Sequence, residues 1–143
     1  MSKVDGCELC ALKTPPVWQG DKFAVILVDD PDYPGFARVI WHEHVREMSD
    51  LADADRLLVN DAVWKLEQAV REVMAPLKVN VASLGNVVPH LHWHVIPRYA
   101  DDAHFPAPVW AQATRVTDKA VLAARKALLP QLAEAITRKF ASR

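Results

Sequence analysis

The sequence predicts an α+β fold: an antiparallel β-sheet carrying one long helix and a C-terminal helix. Three observations point there. Short, strongly apolar runs of strand length are separated by tight turns, one long stretch has helical spacing, and a second helical region closes the chain. With 143 residues, 51% of them hydrophobic, the chain suits one domain. Burial at this size reaches about 70% of the unfolded surface. Residues 1–115 are expected to form the body and 116–143 a helical extension packed on it.

Taken in order, Val17-Trp18-Gln19 is a short strand before the Gly20-Asp21 turn, and Phe23 to Val28 is an apolar run that reads as a buried strand. Asp29 to Gly35 holds Pro31, Pro34 and Gly35 and is a loop. Ala37 to Trp41 is a further strand, with His42, Glu43 and His44 leaving its end. Ser49 and Asp50 are candidate caps for a helix running from Leu51 to about Leu77. Its apolar stripe is Leu58, Ala62, Leu66, Ala69 and Val73, with Val59, Val63 and Val70 beside it. Asp61, Lys65, Glu67, Arg71 and Glu72 take the solvated faces. Lys78 to Leu84 is a strand, Gly85-Asn86 a loop, and His90 to Ile96 the next strand. Asp101 to Pro108 is irregular, and Asp118 to about Phe140 is helical with a break at Pro130.

Seventeen basic against 18 acidic residues leave a formal net charge of −1, which gives no footprint for nucleic acid and no polybasic membrane patch. A phosphate-bearing ligand must then be held locally. No apolar run approaches the roughly 18 residues of a membrane span, and the polar start does not read as a signal peptide, so a cytoplasmic protein is expected. The two cysteines, Cys7 and Cys10, lie too close for a disulfide framework. No buried strand precedes them, as a thioredoxin-like pair would need, so metal ligation is the better reading. The remaining ligands belong among the histidines.

Half of the six histidines fall in His90-Leu91-His92-Trp93-His94. On a strand all three imidazoles project from one face, while Leu91, Trp93 and Val95 pack the other. Val or Ile would suit a purely structural strand better, so this run is a chemical site. Alternate Cα atoms are about 6.6 Å apart and the outer pair about 13 Å, too far for all three to share one metal ion comfortably. The tasks are therefore divided. A neutral imidazole, with an unperturbed pKa of about 6.5, is a good nucleophile towards phosphorus at neutral pH. Its neighbours can donate to phosphoryl oxygens or protonate a leaving group. A catalytic metal site built on two of the three is the competing reading.

His90-Leu91-His92-Trp93-His94-Val95-Ile96 resembles the signature of the histidine triad (HIT) superfamily, and looser likeness extends over residues 7 to 110. The resemblance implies a HIT-like domain over residues 1–115, acting as a nucleotide hydrolase or nucleotidyl transferase. In that pattern His92 attacks the α-phosphorus and carries the nucleotidyl group, and His94 supports the phosphate oxygens. Backbone N–H groups from Gly85 through Asn86 to Val87 add donors. Asn80 or Asn86 offers an amide, and Asp29 meets the ribose hydroxyls. On their own residues, Asp29 also reads as a turn aspartate and Gly85-Asn86 as a turn. Val87 departs from the family, where many relatives carry Ser or Thr against the leaving group.

The resemblance also implies a structural zinc ion on Cys7, Cys10, His44 and His90, with His42 as the alternative to His44. Phe105 to Trp110 is unusually apolar for a loop. Relatives commonly form homodimers, so Trp110 is a candidate pocket wall in either subunit, beside a plain packing role. Three functions compete: a HIT-type hydrolase of phosphoanhydrides or phosphoramidates, a metal hydrolase using His92 and His94 as ligands, and a nucleotide-binding adaptor without turnover.

Overall fold

A computed structural model describes residues 3–141. Five strands form one antiparallel sheet: β1 (Trp18–Gln19), β2 (Phe23–Leu27), β3 (Ala37–Trp41), β4 (Lys78–Ala82) and β5 (His92–Arg98). They lie in the order β1-β2-β3-β5-β4. Helix α1 (Asp53–Met74) covers one face, and α2 (Lys119–Lys126) and α3 (Leu129–Ala141) follow. The expected α+β class is the observed one.

Strand alternation explains the division of the two faces. Val25, Val39, Trp41, Val79 and Val95 point to the helical side and form the main core with Val59, Ala62, Leu66, Ala69 and Val70 of α1. Leu132, Ala135 and Ile136 of α3 join the same core, so the C-terminal helix packs on α1. The opposite face carries a smaller cluster of Tyr33, Phe36 and Ile96, and it is the face that bears the histidines.

Several boundaries differ from the sequence reading. Neither Ser49 nor Asp50 caps α1; they lie in a 3₁₀ turn, Met48–Asp50, where Asp50 closes a capping box with Glu47. The N-cap of α1 is Ala52, which has no polar side chain to offer, and the helix stops at Met74 because Ala75 turns left-handed before Pro76. The buried stripe is rotated by one position, to Val59 and Met74 in place of Leu58 and Val73. The C-terminal break falls at Ala127 and Leu128, so Pro130 sits in the first turn of α3, where its missing N–H is harmless. Asp118 caps α2 by accepting from the Ala120 N–H at 2.7 Å.

The largest change concerns the histidine strand. It begins at His92, not His90, and runs through Pro97 to Arg98. Arg98 is buried, and Asp102 answers it from the following turn at 2.8 Å. Asp102 also accepts from Tyr33 Oη and from the N–H groups of Tyr99, His104 and Phe105. Arg98 further donates to the Ala107 carbonyl at 2.7 Å. The segment leading to Trp110 is thereby tied to the end of β5.

Candidate active site and metal centre

On β5 the side chains of His92, His94, Ile96 and Arg98 share the face away from α1. His92 Nδ1 lies 2.6 Å from the carbonyl oxygen of His90. A carbonyl only accepts, so Nδ1 carries the proton and Nε2 the lone pair. His94 stands opposite Arg38 of β3, whose Nε–H donates to His94 Nδ1 at 3.3 Å. The proton of neutral His94 is then on Nε2. The two rings meet edge to face, with centroids 4.9 Å apart. One offers a lone pair, the other an N–H.

Both rings are largely buried, at 6% and 4% exposure. Burial is the main cause holding both below the ordinary imidazole pKa, and the Arg38 charge adds to it; His94 falls to about 4. Neither Nε2 is sealed off. Trp93 Nε1 is the fully buried side-chain N or O atom left without a partner among the described residues. Phe36 and Trp110 flank His94, with ring centroids at 5.7 and 5.0 Å. Trp110 thus borders the triad of its own chain.

His90 leaves the row. It precedes β5, is fully buried, and donates from Nε2 to the Trp41 carbonyl at 2.5 Å. Its Nδ1 faces Cys7 Sγ and Cys10 Sγ, each at 3.4 Å, and His44 Nδ1 at 3.3 Å. Cys10 Sγ lies 3.4 Å from His44 Nδ1, and the four donor atoms all fall within 4.8 Å of one another. A tetrahedral zinc ion, with Zn–N near 2.0 Å and Zn–S near 2.3 Å, has N–N edges of about 3.3 Å and N–S edges of about 3.5 Å. The residues therefore fit such an ion in both chemistry and spacing. The Trp41 carbonyl supplies the outer hydrogen bond that orients a ligating histidine. His42 is turned elsewhere, with its Nε2–H on the Gly20 carbonyl at 2.9 Å, so His44 is the member of the cluster.

The other expected site residues are spread around this core. Asn80 lies on β4 opposite Ile96, and its Oδ1 accepts from Arg98 at 2.7 Å, which leaves its amide NH₂ for a ligand. Gly85 has φ +74°, so the loop needs glycine there. The N–H groups of Gly85, Asn86 and Val87 make no hydrogen bond among the described residues. Asn86 and Val87 are exposed, Val87 at 93%. Asp29 is exposed and lines a small cleft with Leu122 and Lys126 of α2.

Sequence reasoning missed Arg38, Ser83 and the Arg98–Asp102 pair. Ser83 Oγ donates to the His92 carbonyl at 2.8 Å and braces the strand. Arg38 had a visible signal: it is the one charge in the apolar run Ala37-Arg38-Val39-Ile40-Trp41. Ser83 and Asp102 had none, because only the fold brings them to β5.

An antiparallel sheet whose inner strand presents alternate histidines is the architecture of the histidine triad proteins. Residues 13–101 match the HIT domain family, more than half of the chain, and the chain belongs to that family. It is 30% identical over 81 residues to an AP-4-A phosphorylase of Mycobacterium tuberculosis, a match covering 52% of this chain and 42% of that protein. The chain thus spans less than half the length of the curated relatives it matches. A solved histidine triad protein from Marinobacter aquaeolei VT8 superposes with a TM-score of 0.70 at 30% identity, covering 90% of this chain and 95% of that one. A zinc-bound histidine triad family protein from Mycobacterium smegmatis shares the fold, with a TM-score of 0.59 at 21% identity over 91% and 97% of the two chains.

Proposed function

We propose that the protein is a nucleotide hydrolase or nucleotidyl transferase that cleaves a nucleoside monophosphate from a phosphoanhydride or phosphoramidate through His92. The observation that carries this reading is the 2.6 Å bond from His92 Nδ1–H to the His90 carbonyl, which leaves Nε2 as a fixed lone pair. Nε2 attacks the α-phosphorus, and the bond from phosphorus to the leaving group breaks. The leaving group keeps the electron pair and takes a proton from solvent. Substitution at Nε2 makes the ring cationic, and the His90 carbonyl stabilises that charge. Water then attacks phosphorus, the P–N bond returns its electrons to Nε2, and the water proton passes to solvent. His94 Nε2–H donates to a phosphoryl oxygen in both steps, joined by the unpaired N–H groups of Gly85 to Val87. Asp29 serves the ribose and the Asn80 and Asn86 amides the phosphate chain. Trp110 is a wall of the site.

Zinc on Cys7, Cys10, His44 and His90 is structural in this reading, fastening the N-terminal segment to the start of β5. Two reduced thiols suit a cytoplasmic setting, and no helix among the described residues is long and apolar enough to cross a membrane. β4 is an edge strand with Val81 exposed, which supports pairing with a second copy as a homodimer. His92 and His94 are absent from the metal-type cluster, which weighs against the metal-hydrolase alternative.

The test is a panel of dinucleoside polyphosphates, adenosine phosphoramidates and acyl adenylates, assayed for released nucleoside monophosphate. Wild type turns over at least one class and forms an acid-labile adduct on His92, whereas His92→Ala keeps its fold and loses turnover. Substantial turnover by His92→Ala sinks the mechanism, and AMP binding with no turnover across the panel favours the adaptor.

A further inference from the structure

We propose that Arg38 is the anion-binding residue of this site: its Nε–H holds His94 while its two terminal amino groups receive a phosphate oxygen of the nucleotide. The inference rests on the reading above that the histidine face is a nucleotide site. Arg38 sits on the inner strand β3, directly opposite His94, on the face that bears both histidines. It is half-buried, and burial lowers the pKa of its guanidinium, so the surroundings solvate the charge poorly. A cation drawn out of water calls for a counter-ion. The described residues give it no ion pair and its terminal nitrogens no hydrogen bond; the exposed Glu8 acts on it only at longer range.

The other arginine on this face cannot take that role. Arg98 already commits four of its five N–H donors to Asp102, Asn80 and the Ala107 carbonyl, and Asp102 neutralises its charge. Among the described residues, Arg38 is the permanent cation paired directly across the sheet from His94. Its guanidinium lies 5.7 Å from the centroid of the Phe36 ring, within cation–π range. A planar fork whose Nη1–Nη2 edge is free matches two oxygens of a phosphate better than an ammonium would.

Calorimetry with AMP and with adenosine, on wild type, Arg38→Met and Arg38→Gln, tests the assignment. Wild type binds AMP more tightly than adenosine, and added salt erodes that advantage. Arg38→Met lowers AMP affinity by about tenfold or more, the loss expected for charge-assisted hydrogen bonds, with adenosine affinity unchanged within about twofold. If melting curves show Arg38→Met unfolded, Arg38→Gln carries the same expectation. Equal losses for AMP and adenosine, unchanged AMP affinity, or a wild type that does not prefer AMP each overturn the proposal. Arg38-dependent AMP binding without turnover of any substrate would leave it standing while the hydrolase reading falls. Normal turnover with AMP affinity indifferent to Arg38 would do the reverse.

Discussion

Replacing Asp102 by Asn tests the buried network that fixes the far end of β5. Arg98 is 2% exposed and Asp102 fully buried. The carboxylate gathers six donors: Arg98 twice, at 2.8 and 3.2 Å, Tyr33 Oη at 3.1 Å, and the N–H groups of Tyr99, His104 and Phe105 at 3.0, 3.0 and 2.7 Å. Asn keeps the shape but turns one oxygen into a donor. At the Oδ2 position that donor faces Arg98 Nε and the Tyr99 N–H, and the guanidinium loses its counter-charge. Breaking a buried pair on one side costs about 3–5 kcal/mol. Total stabilities are only about 5–15 kcal/mol, so the variant should remain folded with a melting point lower by roughly 10–15 °C. Urea denaturation at pH 7, followed by tryptophan fluorescence, measures the loss. Asp55→Asn, which breaks the exposed pair with Lys22, is the control and should cost at most about 1 kcal/mol. A loss below about 1 kcal/mol in Asp102→Asn, or an equal loss in the control, refutes the reasoning.

The same residue makes a pH prediction. Burial alone would raise the Asp102 pKa, but Arg98 and three backbone N–H groups outweigh it and hold the carboxyl well below its usual 3.8. A depressed folded-state pKa contributes stability that is fully present above the unfolded value and lost as the pH falls below it. Wild-type stability should therefore decline below about pH 4, with a slope steeper by up to one proton than in Asp102→Asn.

Zinc removal by a chelator should lower the melting point reversibly, with one ion per chain by metal analysis; Cys10→Ser should neither bind the ion nor respond to the chelator. Zinc held at a hundred times its Kd contributes about 2.7 kcal/mol, and a preparation indifferent to chelation would remove the metal from the account. Gly35→Ala forces a side chain to φ +93° and sets a Cβ 3.0–3.2 Å from the Met74 side chain, so chemical denaturation should show a loss of about 1–2 kcal/mol. Val87→Ser, at a position 93% exposed, should leave stability within about 0.5 kcal/mol. Its kcat should rise on substrates with poor leaving groups, and an unchanged kcat would show that a hydroxyl here gives no assistance.

Most of the sheet was legible because its strands are short apolar runs bounded by Gly and Pro, and β3 came out at its observed limits, Ala37–Trp41. The ends of α1 were not, since its start is set by a 3₁₀ turn over Leu51 and its stripe by contact with β3 and β5, neither of which periodicity encodes. Among the histidines, His92 and His94 lie together while His90 lies among the cysteines. The cause is tertiary: the Trp41 carbonyl and the N-terminal cysteines draw His90 out of line before the strand begins. Arg38 showed as the one charge in an apolar strand, but its partner lies 56 residues away across a strand pairing, and Asp102 gave no signal because a turn brings it back onto Arg98.

His90 connects two centres with a single amino acid. Its ring is gripped at one nitrogen by a main-chain oxygen and aimed at the cysteines with the other, while its own peptide oxygen sets the angle of the next imidazole in the row. A substitution at this position would take away the ring that faces the cysteines, and it would reach the His92 ring only by shifting the main chain.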